Sequence, residues 1–479
     1  MRLLSTLLLV TALAQAAPQS DYYLREEIPL PPGEVMEIGS IALMPDQKVA
    51  VTTRRGDLWI CSGAYADDLS KVTWEKFAQG LHEPFGMFWK AGWLYLTQRP
   101  ELSRIQASSG RGPADTFQTL CADWGINGDY HEYAFGSTPD KNGDVWIVLC
   151  LTGSGGAASD WRGWCVRVTP DGKMIPTCSG IRSPGGIGFN ATGDVFYTDN
   201  QGLWNGSSSL KWLKPGSFQG NPTGNKYHKL ADLPAPPEPT DGSRVLAEHL
   251  KFPNYIPPAV VLPHGKVGQS PTGIACDTSG GKFGPWPNQL YIGEQTHSQV
   301  QRVCLEQVNG IYQGAVFHLL EGFEAGLIPV RLDTEAGILF TGGSNRGWAS
   351  RGTKAFTFER VKWTGKTPFE IQTMTASPDG FTLKFTEPVD PATAGNPASY
   401  AMQAWTYILQ SGYGSPEVDQ ATPQITAATV SPDKKSVRLK INGLVRGHVH
   451  HLASKGVTSA NGAPLWHSDA YYTLNEIPK

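Results

Sequence analysis

A chain of 479 residues with 54 glycines, 36 prolines and 15 tryptophans is rich in turns and aromatics, and only 17% of it is charged. That balance excludes a helical bundle and a disordered chain, and it suits many short strands joined by tight loops. A formal net charge of −3 gives no basic field for nucleic acid and no polybasic anchor for a membrane surface.

In chain order, Arg2 and the apolar stretch Leu3 to Leu13 lead to Ala14-Gln15-Ala16, a small-x-small cleavage site. Residues 1–17 therefore read as a signal peptide, and the mature chain is expected to be secreted or periplasmic. No later stretch is apolar for long enough to suggest membrane insertion. A loose repeat follows, in which a short apolar segment leads to a polar turn and a second strand rich in aromatics. Ile41–Asp46 precedes Gly56–Ile60, Phe85–Trp89 precedes Gly92–Leu96, and Glu132–Gly136 precedes Gly143–Ile147. Gly186–Phe189 precedes Gly193–Tyr197, Thr272–Ala275 precedes Asn288–Ile292, and Pro329–Leu332 precedes Ala336–Phe340. Each unit is too small to bury its own apolar face, and radial stacking of such units solves that. A six-bladed β-propeller over residues 18–365, with its repeats between about 36 and 364, is the economical reading of these units. The Pro-rich run Leu233 to Thr240 cannot be a central strand and reads as a surface excursion between blades.

After Lys366-Thr367-Pro368 the texture changes to plain alternation, as in Phe381–Phe385 and Ser436–Ile441, each after a Pro-Asp turn. Residues 366–479 are expected to form a small β-sandwich of immunoglobulin-like or fibronectin type, without the Cys-Trp-Cys hallmark. The seven cysteines all lie between Cys61 and Cys304. In an exported chain they argue for disulfides, with Cys165 and Cys178, on either side of the turn Pro170–Lys173, as one candidate pair. The absence of C-x-x-C-H disfavours covalent haem, so a redox enzyme would need a separate electron acceptor.

The run Gly180-Ile181-Arg182-Ser183-Pro184-Gly185-Gly186-Ile187-Gly188-Phe189, followed by Asp199-Asn200-Gln201-Gly202, resembles the R-N-P-x-G-x-x-F … E-x-G-P signature of the glucose/sorbosone dehydrogenase family. His82–Met87 with Leu96–Pro100 resembles that family's P-W-x-x-x-F … V-T-E-R-P-G. Tyr130–Phe135 stands where the family has H-x-G-G-x-x-x-F. Val166–Lys173 is similar to R-I-x-P-D-G-K, and Gln269–Ile274 to A-P-S-G-L. The set follows the family's order through most of the propeller, and a divergent bacterial subgroup with a tail of this kind is the nearest resemblance.

The resemblance implies a six-bladed propeller that uses the quinone PQQ to oxidise sugars or related alcohols and passes electrons to an external acceptor such as a cytochrome c. It makes His131 the general base, an imidazole being suited by its pKa. Arg182 would grip a quinone or carboxylate oxygen with its fork of donors, and Gln98 falls within a matching segment. Gly202 and Leu203 fall where the family offers carbonyls to Ca²⁺, which takes hard oxygen ligands. Lys266, Arg302 and Arg331 are candidate partners for the acid groups of PQQ by chain position. The pattern also departs from the family: Ser183 replaces Asn, Leu203 replaces Pro, Asn200 stands at the acid's place, and Asn205–Ser209 replaces the acidic cluster.

Other readings stand beside these. Arg182 equally suits satisfying carbonyls at a blade junction. Asp140–Asp144 contains a fragment of a Ca²⁺ loop but is above all a hairpin turn. His448, His450 and His451 have metal-like spacing in the tail, at a strand end or, as the simpler account, in an exposed loop. Asn190 and Asn205 head glycosylation sequons. Trp161, Trp164, Trp204 and Trp212 fit sugar stacking or propeller core. A non-catalytic propeller that binds carbohydrate or a protein partner is the second functional class. A polysaccharide hydrolase or lyase using His131 with Asp129 and Glu132 is the third.

Overall fold

The computed structural model describes residues 16–345 and 349–479, so the expected signal peptide lies almost wholly outside the described residues. Five four-stranded antiparallel sheets and four strands of a nine-stranded sheet form the six blades of a propeller. Blade one is Ile38–Met44, Lys48–Thr53, Leu58–Ser62 and Thr73–Ala78; blade two is Gly86–Lys90, Trp93–Thr97, Leu102–Gln106 and Thr116–Cys121. Blade three is Ala134–Pro139, Val145–Leu149, Trp164–Val168 and Met174–Ser179; blade four is Pro184–Phe189, Val195–Asp199, Ser208–Trp212 and Val260–Leu262. Blade five is Pro271–Cys276, Leu290–Glu294, Gln299–Val308 and Ile311–Leu320. Blade six takes Leu327–Asp333, Ile338–Ser344 and Phe356–Trp363 from the end of the propeller and Tyr23–Glu27 from its beginning.

The last arrangement closes the ring. Tyr23 to Glu27 pair antiparallel with Trp363 to Glu359, so the N-terminal strand seals the outer edge of the final blade. Closure removes the exposed edge that an open sheet would leave. Tyr23 anchors the seal from a fully buried site, where Trp286 Nε1 donates to its hydroxyl at 2.7 Å.

Glycine on the innermost strands follows from crowding at the axis. A Cβ on Gly86 would lie 2.7 Å from the carbonyl of Gly136, and one on Gly186 would lie 2.6 Å from Gly273. Hairpin turns account for the Asp-Gly pairs. Asp140 Oδ1 accepts the amides of Asn142 and Asp144 at 2.8 and 3.0 Å, which makes this segment a side-chain-capped turn. The Pro-rich run lies within blade four, between its third and fourth strands, rather than between blades. It follows the 3-10 helix Pro222–Ala231 and precedes the α-helix Val245–Lys251.

The tail forms two sheets. One is ordered Ile371–Ser377, Gly380–Phe385, Ser436–Asn442, Gln424–Val430. The other contains Ala401–Leu409, His448–Ala453 and Asp469–Leu474, and it continues directly into blade five, where Thr473, Tyr472 and Tyr471 pair with Gly314, Ala315 and Val316. One hydrophobic core joins Phe381, Leu383, Val437 and Leu439 of the tail to Cys304, Ala315 and Phe317 of the blade. His448, His450 and His451 lie on a strand, not on an exposed loop, and His450 is fully buried against Phe381. No group of three or more potential ligands for a metal occurs among the described residues. Cys165 and Cys178 stand directly opposite in register in blade three, both buried and unlinked.

Candidate active site

The innermost strands run between two cavities on the propeller axis. Their leading ends, at Ile38, Phe85, Phe135, Gly185, Thr272 and Ile328, border a cavity of about 780 Å³. Their trailing ends, such as Leu43, Phe189 and Asp333, border a second of about 530 Å³. The loops around the first cavity carry His131, His264, Arg54 and Arg182, while Arg331, Asp333 and Glu335 border the second. Such a division is what a rigid propeller with variable loops provides.

His131 enters the larger cavity from the loop before blade three. Asp129 Oδ1 accepts the amides of His131 and Gly153 at 2.8 and 2.9 Å, which ties the two loops together. The imidazole Nδ1 lies 2.8 Å from Ser154 Oγ, and the Tyr130 ring stacks on the imidazole at 4.3 Å. Burial pushes the His131 pKa below its ordinary value; Asp129 opposes this, and the Arg182 and Arg54 charges add to it. The neutral, proton-accepting form is thereby favoured.

Arg182 enters from the loop before blade four, and its chemistry is that of a blade junction. Nε donates to Ser154 O at 3.2 Å, and Nη1 donates to Asn200 O at 3.2 Å and Gln201 O at 2.6 Å. Ser154 thus holds His131 with its hydroxyl and Arg182 with its carbonyl, from a backbone with φ of 60°. Asn200 Oδ1 and His264 Nδ1, on two further lining residues, are buried with no hydrogen-bond partner among the described residues. Such atoms are costly unless water or a ligand satisfies them.

Glu132 faces away from the cavity, into a buried network. Its carboxylate accepts from Asn127 N, Thr152 Oγ1 and Ser159 Oγ and stands 4.0 Å from Arg162, with both side chains out of solvent. Glu132 is thereby removed from His131, whereas Asp129, half-buried, spends its Oδ1 on the two loop amides.

No known family profile matches the chain, and no curated protein matches it. Solved structures do. The proposed glucose dehydrogenase of Thermus thermophilus aligns over 71% of this chain and 99% of its own, with 15% identity and a TM-score of 0.51. Another glucose dehydrogenase aligns over 72% and 99%, at 16% identity and a TM-score of 0.52. A carbohydrate-active enzyme of family AA12 from Trichoderma reesei aligns over 75% and 100%, at 13% identity and a TM-score of 0.50. The fold is that of the glucose dehydrogenase propellers. A sizeable part of this chain has no counterpart in those structures.

Within that propeller, His131, Arg182 and Leu203 border one cavity, and Gly202 packs against the Arg182 guanidinium. The other expected cofactor contacts lie elsewhere. Gln98 is spent inside blade two, accepting from His82 N and donating to Ser103 Oγ, both at 2.7 Å. Lys266 pairs with Glu417 at 2.8 Å and lies 4.0 Å over the Trp405 ring, both in the tail. Arg302 is fully buried between the Trp286 and Phe317 rings and donates to backbone carbonyls of Ile371 and Gln372, fastening the tail to blade five. Arg331 borders the smaller cavity at the other end of the axis.

The donor set does not fit calcium. Gly202 O accepts the amides of Gly414 and Asn205, both at 3.1 Å, and Leu203 O accepts Asn221 Nδ2 at 3.0 Å. Asn200 O and Gln201 O face a guanidinium that already supplies positive charge. No carboxylate replaces the acid at Asn200, and Ca²⁺ sites rely on such oxygens. Two of the four tryptophans expected to suit sugar stacking, Trp161 and Trp164, are core residues at 5% and 4% exposure. Asn205 is buried as well, with Nδ2 donating to Asp199 O and Asn200 O, so its sequon is inaccessible in the fold.

Proposed function

We propose that the protein is a secreted oxidoreductase that oxidises a sugar or a related alcohol in the larger axial cavity, with electrons passed to an external acceptor such as a cytochrome c. One observation carries the reading: a half-buried imidazole whose pKa is lowered by burial borders a roomy cavity in a fold shared with glucose dehydrogenases. Oxidation of an alcohol needs a base for the hydroxyl proton. The imidazole of His131, oriented by Ser154 at Nδ1, is the group that takes it. The orphaned polar atoms of Asn200 and His264 suit hydroxyl groups of a neutral polyol. The resemblance implies PQQ as the oxidant, and Arg182 and Arg54 are the described arginines facing the space it would fill. Calcium-held PQQ does not fit the loop at 200–203, and no step is assigned to it.

The occupied carbonyls of that loop favour a second reading, a propeller that binds carbohydrate without turnover. Dye-linked oxidation of glucose and other aldoses separates the two, run with and without added PQQ and Ca²⁺ on wild type and His131→Ala. Turnover that His131→Ala abolishes while leaving the melting temperature unchanged supports the oxidoreductase. Sugar binding by calorimetry with no dye reduction under any condition would establish the binding module instead.

A further inference from the structure

We infer that the tail completes the sugar site, and that Tyr413 is a stacking platform for a second ring of a saccharide whose first ring lies beside His131. The inference rests on the cavity being a sugar site.

Six large apolar side chains are exposed among the described residues, and two of them, Tyr130 at 54% and Tyr413 at 69%, border the 780 Å³ cavity. They come from different parts of the chain. Tyr130 belongs to the propeller and stacks on His131; Tyr413 belongs to the tail and lies 5.3 Å from the Arg182 guanidinium carbon. Each of the two rim tyrosines therefore covers one of the two central site residues.

The loop that carries Tyr413 is fastened to the propeller along its length. Trp204 N donates to Gln410 O at 2.7 Å, Gly414 N to Gly202 O at 3.1 Å, and Ser415 N to Gly206 O at 3.0 Å. Asp241 holds Ser411 through both its amide and its hydroxyl. Gly414, at φ of 65°, packs against the Gln201 side chain. A segment anchored at so many points would be expected to bury its one aromatic. Instead it presents the ring at the mouth of the cavity. A rigid loop with an exposed tyrosine is preorganised for contact at little entropic cost.

An aromatic face matches the apolar C–H face of a pyranose, and the ring hydroxyls remain for polar neighbours. Tyr413 stands at the rim, so the sugar it holds is the neighbour of the one inside. The ligand is accordingly a saccharide of two or more rings.

Calorimetric binding tests this without turnover. Glucose, maltotriose and cellotriose are titrated into the full chain as wild type, Tyr413→Ala and Tyr413→Phe. One trisaccharide is expected to bind wild type about tenfold more tightly than glucose. Tyr413→Ala should remove that advantage and leave glucose affinity and the melting temperature unchanged, while Tyr413→Phe should keep it. Glucose binding with no trisaccharide advantage, or an advantage that survives Tyr413→Ala, overturns the inference and leaves the sugar site standing. No binding of any of the three overturns both.

Discussion

Arg182 lies with its guanidinium carbon against Gly202, at the place where any larger residue would put its Cβ. The contact is possible because position 202 has no side chain, and it lets Nη1 reach Asn200 O and Gln201 O together. Gly202→Ala is therefore expected to displace the guanidinium and break its bonds to the loop. Overpacking of this kind costs about 1–3 kcal/mol, read as a lower melting temperature. The effect should couple: in Arg182→Ala the same Gly202→Ala change should cost much less, because the clashing group is gone. Equal costs in both backgrounds would show that Arg182 does not occupy this loop.

Arg162 is the support under the His131 loop. It has no solvent exposure, stands 4.0 Å from Glu132, and donates to the carbonyls of Gly125, Glu132, Tyr133 and Arg99. Arg162→Ala leaves a buried carboxylate and several carbonyls uncompensated, and breaking a buried pair this way costs about 3–5 kcal/mol. Thermal or urea unfolding measures it. A loss under 1 kcal/mol would mean water replaces the guanidinium with ease.

The legibility of the fold followed physical locality. The turn at Asp140–Asp144 and its flanking strands are encoded within one short segment, so the first hairpin of blades two to six could be read, while in blade one the pair Ile41–Asp46 and Gly56–Ile60 skips the second strand, Lys48–Thr53. Outer strands such as Thr73–Ala78 are half exposed and polar, and they carry no strong period of their own. Closure by Tyr23–Glu27 and fusion of the tail to blade five pair segments remote in sequence, and no local pattern announces such pairing. The site behaves likewise. His131 and Arg182 were found through their resemblance to motifs. Gln98 comes from a motif-like segment and Lys266, Arg302 and Arg331 from chain position, and neither signal tells which end or edge of a blade a side chain serves. Ser154 acts through a carbonyl and a left-handed backbone, and Tyr413 reaches the site through backbone pairing between tail and propeller. Neither leaves a motif.

Turnover should persist at mildly acid pH. Burial lowers the His131 pKa, so the imidazole remains a base as pH falls through about 6.5, the ordinary value for histidine. The acid limb of kcat/KM, which reports the free protein, should therefore lie below that value. Ser154→Ala removes the contact to Nδ1 and should reduce kcat with little change in melting temperature. An acid limb above about 6.5 would show that another group is the base.

Global stability should have its own acid limb, and His450 is the residue to test. Burial, with a smaller contribution from the His448 charge, pushes its pKa down to about 3. Its ring is fully buried against Phe381. In the unfolded chain the same group protonates near 6.5. Between these values the unfolded state binds a proton that the native state refuses, so stability rises with pH there and is lost as pH falls from about 6.5 toward 3. The contribution is on the order of 1 kcal/mol per pH unit for one such site. His297, pushed down to about 4 mainly by burial, adds in the same direction. Urea unfolding of wild type and His450→Phe at pH 7 and pH 5 isolates the effect, because all other groups are shared. The variant should lose less stability than wild type on acidification. An equal loss in both proteins would mean that His450 takes up its proton in the folded tail.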